Sequence, residues 1–157
     1  MTRFLIFIGV LALTVLFGCS NRPSFEFIEK EGLKYKFSSF IASIEKFPYD
    51  APPSRIEKVL KGFQKLSLKM KQEEVLSLLG EPDAEFLTYD VKKGDLFLNS
   101  SWEYVLHRHE ADLANDKYDK AIYVYFDRDS HFYWGLPTNV QGLLMIGSPD
   151  QNSRPGK

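Results

Sequence analysis

The sequence predicts an α+β domain: two helices packed on one face of a small antiparallel sheet, in the order α-α-β-β-β-β, with an extra N-terminal amphipathic helix. Three observations carry this. Apolar residues recur at helical spacing between residues 54 and 79. From residue 84 to residue 135 the period changes to two. At the changeover stand Gly80 and Pro82, a glycine placed to end a helix in a left-handed conformation and a proline that prevents its restart. The 157 residues, 44% apolar and 15% aromatic, suffice for one such core, with length left for tails.

Each element has its own warrant. Phe37, Phe40, Ile41, Ile44 and Phe47 recur at helical spacing, so residues 37–47 are expected as the extra helix, packed on the main domain. Pro48, Pro52 and Pro53 break it. Ser54 is expected as the N-cap of the first main helix, with Glu57 completing a capping box. Ile56, Val59, Leu60 and Phe63 form that helix's apolar stripe, and Lys58, Lys61 and Lys65 its solvated face. Met70, Val75, Leu78 and Leu79 supply the buried side of the second helix, and Glu73 and Glu74 suit its positive N-terminus.

Strands are expected at 84–91, 96–108, 121–127 and 131–135. A turn at Lys92–Asp95, a polar loop at 110–119 and a turn at Asp127–Ser130 join them. Alternation points Trp102, Tyr104 and Leu106, with Ile122, Val124 and Phe126, toward the helices. Glu103, Val105, His107 and His109 then face outward with Tyr123 and Tyr125, and Tyr133 joins them if the last strand keeps register. An open aromatic sheet face is expected to be a contact surface, or else to be covered by the extra helix at 37–47. Its candidate partner-binding residues are Tyr123, Tyr125, Tyr133, His107 and His109. VQGLLMI, residues 140–146, is expected to dock on the domain or add an edge strand, and the polar tail 147–157 to be unstructured.

Catalytic patterns are missing: no Ser-His-Asp order, phosphate loop or paired carboxylates stand out, so the reading is non-enzymatic, without cofactor or metal. His107 and His109 would need His131 as a third ligand to hold zinc, and are read as unliganded. Asp127 and Asp129 are expected to bond the backbone of their turn. A net charge of −1 excludes a nucleic-acid binder, which needs a strong basic field.

One cysteine cannot make an internal disulfide. It stands at position 19, after Met-Thr-Arg and the apolar run Phe4–Gly18. That run is shorter than the roughly 20 residues of a spanning helix, and has the form of an export signal. Leu16-Phe17-Gly18-Cys19 resembles the lipobox of bacterial lipoproteins. The resemblance implies removal of residues 1–18 and lipidation of Cys19, whose several acyl chains anchor stably where one would not. Ser20 implies sorting to the outer membrane. Without Arg3 the mature chain has 19 basic residues against 21 acidic, a charge of −2, so lipid does the tethering.

The stretch LSLKMKQEEVLSLLGEPD, residues 66–83, resembles the signature Leu-x-x-Gly-Met-x-x-x-x-Val-x-x-x-Leu-Gly-x-Pro of the SmpA/OmlA (BamE-like) outer-membrane lipoproteins. Met70, Val75, Leu79, Gly80 and Pro82 fit; Lys69 stands where the signature has Gly. Trp102-Glu103-Tyr104 and the hairpin YVYFDRDS, 123–130, fit as well. The resemblance spans roughly residues 55–135 and implies two helices on a small sheet. It also implies a role as an accessory subunit of the machinery that folds β-barrel proteins, with phospholipid headgroups as further contacts. The same layout resembles β-lactamase inhibitor proteins, so a periplasmic binding module with a soluble target is the alternative. The expected domains are a signal at 1–18, a tether and accessory helix at 19–53, the family-like domain at 54–136 and an extension at 137–157.

Overall fold

A computed structural model describes residues 25–30, 33–38, 40, 43–111 and 117–149. The expected signal, Cys19 and residues 150–157 of the tail lie outside them. The class is α+β, as expected, with two helices and one antiparallel sheet. The sheet has eight strands rather than four. In chain order the elements are β1 (Phe25–Lys30), β2 (Leu33–Ser38), β3 (Tyr49–Asp50), α1 (Pro53–Phe63), α2 (Gln72–Leu79), β4 (Ala84–Asp90), β5 (Leu96–Arg108), β6 (Lys120–Phe126), β7 (Phe132–Thr138) and β8 (Ile146–Gly147). Neighbours across the sheet run β1-β2-β4-β5-β6-β7-β8, with β3 pairing the far end of β5.

The N-terminal part corrects the expected helix at 37–47. Phe37 and Ser38 belong to β2, residues 39, 41 and 42 lie outside the described residues, and 44–48 are not helical. Phe25 and Phe27 flank Glu26, and Leu33, Tyr35 and Phe37 alternate with Lys34 and Lys36. That period-two pattern forms a hairpin, and β2 pairs with β4 at Tyr35 and Thr88.

α1 begins one residue before the expected cap. Pro52 is the N-cap and Pro53 the first helical residue, which places Ser54 inside the first turn with no capping bond. A proline there has no N–H to orphan and a φ already suited to the helix. α2 has half a capping box, the Lys71 N–H donating to Glu74 Oε2 at 2.8 Å. Gly80 ends it with φ 83° and ψ −170°, positive in φ as expected but extended in ψ rather than left-handed helical.

The core lies between helices and sheet where alternation placed it. Val59, Phe63, Val75 and Leu79 meet Trp102, Tyr104, Leu106, Ile122, Val124 and Phe126, all buried. Two glycines set the spacing. A Cβ on Gly62 would lie 2.5 Å from the Leu78 carbonyl oxygen, so α1 and α2 cross in direct backbone contact. A Cβ on Gly135 would lie 2.8 Å from the Phe63 ring, which therefore sits flush on β7. The Tyr104 hydroxyl donates to the Gly80 carbonyl at 3.0 Å, so the buried phenol is satisfied and the helix end is tied to the sheet. β8 is the edge strand expected of VQGLLMI: Val140, Leu143 and Ile146 pack on the core, while Leu144 and Met145 stay exposed.

Candidate functional site

The sheet face turned away from the helices is set by strand register. Across β5 and β6, Glu103 opposes Tyr123 and Ser101 opposes Tyr125. Across β6 and β7, Tyr123 opposes Leu136 and Tyr125 opposes Trp134. Two bulges then alter the alternation. In β5, Val105 opposes Ala121 and His107 opposes Lys120, leaving Leu106 as the extra residue. An extra residue flips the side of everything after it. His107 turns to the helix side and Arg108 takes the outward position.

This corrects the expectation that the two histidines line the outer face. His107 Nδ1 pairs with Asp50 Oδ1 at 2.7 Å. His109 lies past the strand, exposed, its ring 5.0 Å from that of Tyr118. The three tyrosines do come together. The second bulge makes Tyr133 the extra residue of β7, so the strand does not keep the register that was the condition for Tyr133 to join the face. Its ring still lies 6.4 Å from Tyr125, while Trp134 stacks on Tyr125 at 4.2 Å and 19°.

The face also carries a buried polar network. The Tyr123 hydroxyl donates to Glu103 Oε1 at 2.8 Å. Arg108 Nη1 lies 2.8 Å from Asp119 Oδ2, and Asp119 Oδ1 accepts the His109 N–H at 2.7 Å. Glu103 and Arg108 are each 4% exposed and Asp119 is 6% exposed, so this end of the face is closed, while Tyr123, Tyr125, Trp134 and Leu136 are partly exposed. Burial pushes the Glu103 carboxyl above its usual range, against the Tyr123 hydrogen bond and the Arg108 charge. Burial also raises Tyr123, and pushes Tyr125 up to about 12, so both phenols are neutral at physiological pH.

Arg108 Nε, Arg108 Nη2 and Trp134 Nε1 are buried without a hydrogen-bond partner. All three are donors, and both residues project from this face. Each unmet buried donor costs about 1–3 kcal/mol, enough that structures normally supply an acceptor. The arrangement places unmet buried donors beside an aromatic stack. Sequence reasoning singled out neither Arg108, Asp119 nor Trp134, because the β5 bulge and cross-strand pairing that position them leave no periodic signal.

The third histidine is elsewhere. His107 opposes Lys120 at the start of β6, whereas His131 follows its end. His131, Asp127 and Asp129 hold potential ligand atoms within 4.8 Å of one another. Asp127 Oδ1 accepts the N–H groups of Asp129 at 3.1 Å and His131 at 2.9 Å, and Oδ2 faces Lys69 Nζ at 3.3 Å. Asp127 thus braces its turn, as expected. Among the described residues no helix is long and apolar enough to cross a membrane.

Comparison of the chain with protein-family models, curated proteins and solved structures finds no match.

Proposed function

We propose that the chain is a lipid-anchored, non-enzymatic scaffold or binding protein of the bacterial outer membrane, facing the periplasm. In this reading it resembles the accessory subunits of the β-barrel assembly machinery and supports envelope integrity. The observation that carries the proposal is Leu16-Phe17-Gly18-Cys19 directly after an apolar leader, with a polar stretch following. Support comes from the run α1, α2, then β4 to β7 over residues 53–138, and from the signature corner, where Gly80 has a positive φ. Lys69, at the signature's glycine position, has φ 72°, a conformation that favours glycine. The aromatic stack of Tyr125 and Trp134 on the outer face fits protein recognition, with a lipid headgroup as a further contact.

The test is made in the native host. Feeding an alkynyl fatty acid should label the protein at Cys19, and Cys19→Ala should remove both the label and the outer-membrane location. Crosslinking in intact cells followed by mass spectrometry should return a barrel-assembly subunit. A soluble periplasmic target instead would favour the alternative, an inhibitor-like module with the same fold. An unlabelled protein with its leader still attached would defeat the proposal.

A further inference from the structure

The two edges of the sheet differ. β8 is two residues long, and Gly147 leaves it with φ 72°. An edge that short offers another strand little to pair with. β1 is six residues long, with no proline and no bulge. Among the described residues its one strand neighbour is β2. The backbone N–H and C=O groups that point away from β2 therefore form a row ready to template a further strand. The helices do not stand in the way. They pack on β5, β6 and β7, and β2 and β4 lie between those strands and β1.

The sequence of β1, Phe25-Glu26-Phe27-Ile28-Glu29-Lys30, is suited to pairing with itself. Backbone groups of successive residues point alternately to the two sides of a strand. Two antiparallel copies of one strand can thus oppose only odd positions with odd and even with even, so the pairing centres on a residue, never between two. Charge then chooses the residue. Centring on Glu26, Glu29 or Lys30 sets a charge against its own copy, which is destabilising. Centring on Phe27 sets Glu26 against Ile28 and Phe25 against Glu29, with no charge matched. Centring on Ile28 sets Ile28 against itself and, by symmetry twice, Glu26 against Lys30. Opposite charges facing each other across an antiparallel pair are favourable.

We propose that β1 pairs antiparallel with β1 of a second copy of this chain, in the register centred on Ile28, joining two sheets into one. The two-fold axis then runs perpendicular to the sheet, so the helices of both copies lie on the same face and apart from each other. One strand pair is a small interface, and the dimer is a reversible one.

The test uses the full chain purified from its host membranes in mild detergent. Sedimentation equilibrium up to about 1 mM should show a monomer–dimer equilibrium. Glu26→Lys alone and Lys30→Glu alone each create two like-charge pairs, and each should weaken the dimer about tenfold or more. The two together restore opposite charges and should return the wild-type affinity. Register is read by mild oxidation, with the wild type run alongside as the measure of any crosslinking through Cys19. Ile28→Cys lies on the axis and should link to itself. Glu26→Cys should link to Lys30→Cys when the two chains are mixed, and not to itself, since four residues of offset separate the like positions by about 14 Å. A wild type that stays monomeric overturns the proposal. So does a dimer that neither single reversal weakens, a double reversal that gives no rescue, or Glu26→Cys linking to itself while Ile28→Cys does not. Acylation of Cys19 is measured separately by mass, so the anchor and the dimer stand or fall independently.

Discussion

Asp83 Oδ2 accepts the backbone N–H of Val105 at 2.8 Å while Asp83 Oδ1 lies 2.8 Å from Arg55 Nη2, so one carboxylate joins α1 to β5. The place is structurally necessary. β3 stops at Asp50, opposite His107, and β4 starts at Ala84, opposite Glu103. Between them the Val105 amide faces an interruption in the ladder, and a side chain takes the place of the missing strand. Arg55 also donates to the Glu81 carbonyl at 2.9 Å and lies over the Tyr104 ring at 5.9 Å. Burial pushes Asp83 upward, partly offset by Arg55 and by the Val105 hydrogen bond. Asp83→Ala strips the amide and the guanidinium of their partner together, and should cost about 2–4 kcal/mol in urea unfolding. Asp83→Asn keeps an acceptor for Val105 and should cost nearer 1 kcal/mol. Equal losses in the two variants would show that the charge, not the bridged amide, holds this corner.

Lys69 has φ 72° while its N–H donates to the Phe132 carbonyl at 2.8 Å. The hydrogen bond fixes the left-handed conformation, and a side chain there costs roughly 1–2 kcal/mol. Against this stands the Lys69 Nζ to Asp127 pair at 3.3 Å, whose lysine is 74% exposed. Such exposed pairs contribute about 0–1 kcal/mol. The backbone term wins, so Lys69→Gly should raise the thermal midpoint. Lys69→Ala keeps the strain and loses the pair, and should lower it. A melt in which both variants fall together would put the pair above the strain.

Gly62 is a harder constraint. Alanine is the better helix former by about 1 kcal/mol, yet its Cβ would lie 2.5 Å from the Leu78 carbonyl oxygen and 2.9 Å from the Leu79 side chain. The backbone oxygen cannot rotate away, so α1 and α2 must separate. Overpacking of this kind costs about 1–3 kcal/mol, and Gly62→Ala should show a net loss by denaturant midpoint. An unchanged or raised midpoint would mean the two helices slide apart freely.

These contacts show which parts of the fold could be read in advance. β5 was legible to the residue because a long alternation starts at a Gly-Asp turn and includes Trp102 and Tyr104 on one side. The helices were legible from their stripes, and the corner from Gly80 and Pro82. β1 falls in the stretch expected as a tether, and the end of β2 was hidden because Phe37, Phe40, Ile41, Ile44 and Phe47 also satisfy a helical period. The arbiter is pairing of β2 with β4, some fifty residues away along the chain, which local spacing does not encode. The site divides the same way. Tyr123 and Tyr125 follow from plain alternation. Arg108 faces outward because Leu106 is inserted, and Tyr133 stays beside Tyr125 through a bulge of its own. A bulge changes which side chains meet without changing the residues present, so period counting assigned the outward position to His107.

Glu103 supplies the sharpest pH test. Burial is the largest influence on its carboxyl and raises it above 4.5, while the Tyr123 hydrogen bond and Arg108 pull it down and Asp83 and Asp119 add to the rise. A raised carboxyl binds its proton more tightly folded than unfolded. Its stabilising contribution is therefore complete below the unfolded value and shrinks as pH rises through the folded one. Glu103→Gln keeps a carbonyl oxygen to accept from the Tyr123 hydroxyl and cannot ionise. The stability difference, variant minus wild type, should climb as pH is raised from about 4.5 toward 7. Taking the difference cancels other groups, including Glu57, whose carboxyl is lowered by Lys61. Tyr123→Phe removes the contact that favours the ionised form, and should make the wild-type decline steeper. Urea unfolding at five or six pH values checks both. A difference that stays flat would mean that Tyr123 and Arg108 together balance burial; one that falls would mean that they outweigh it and that the carboxylate is the form the fold prefers.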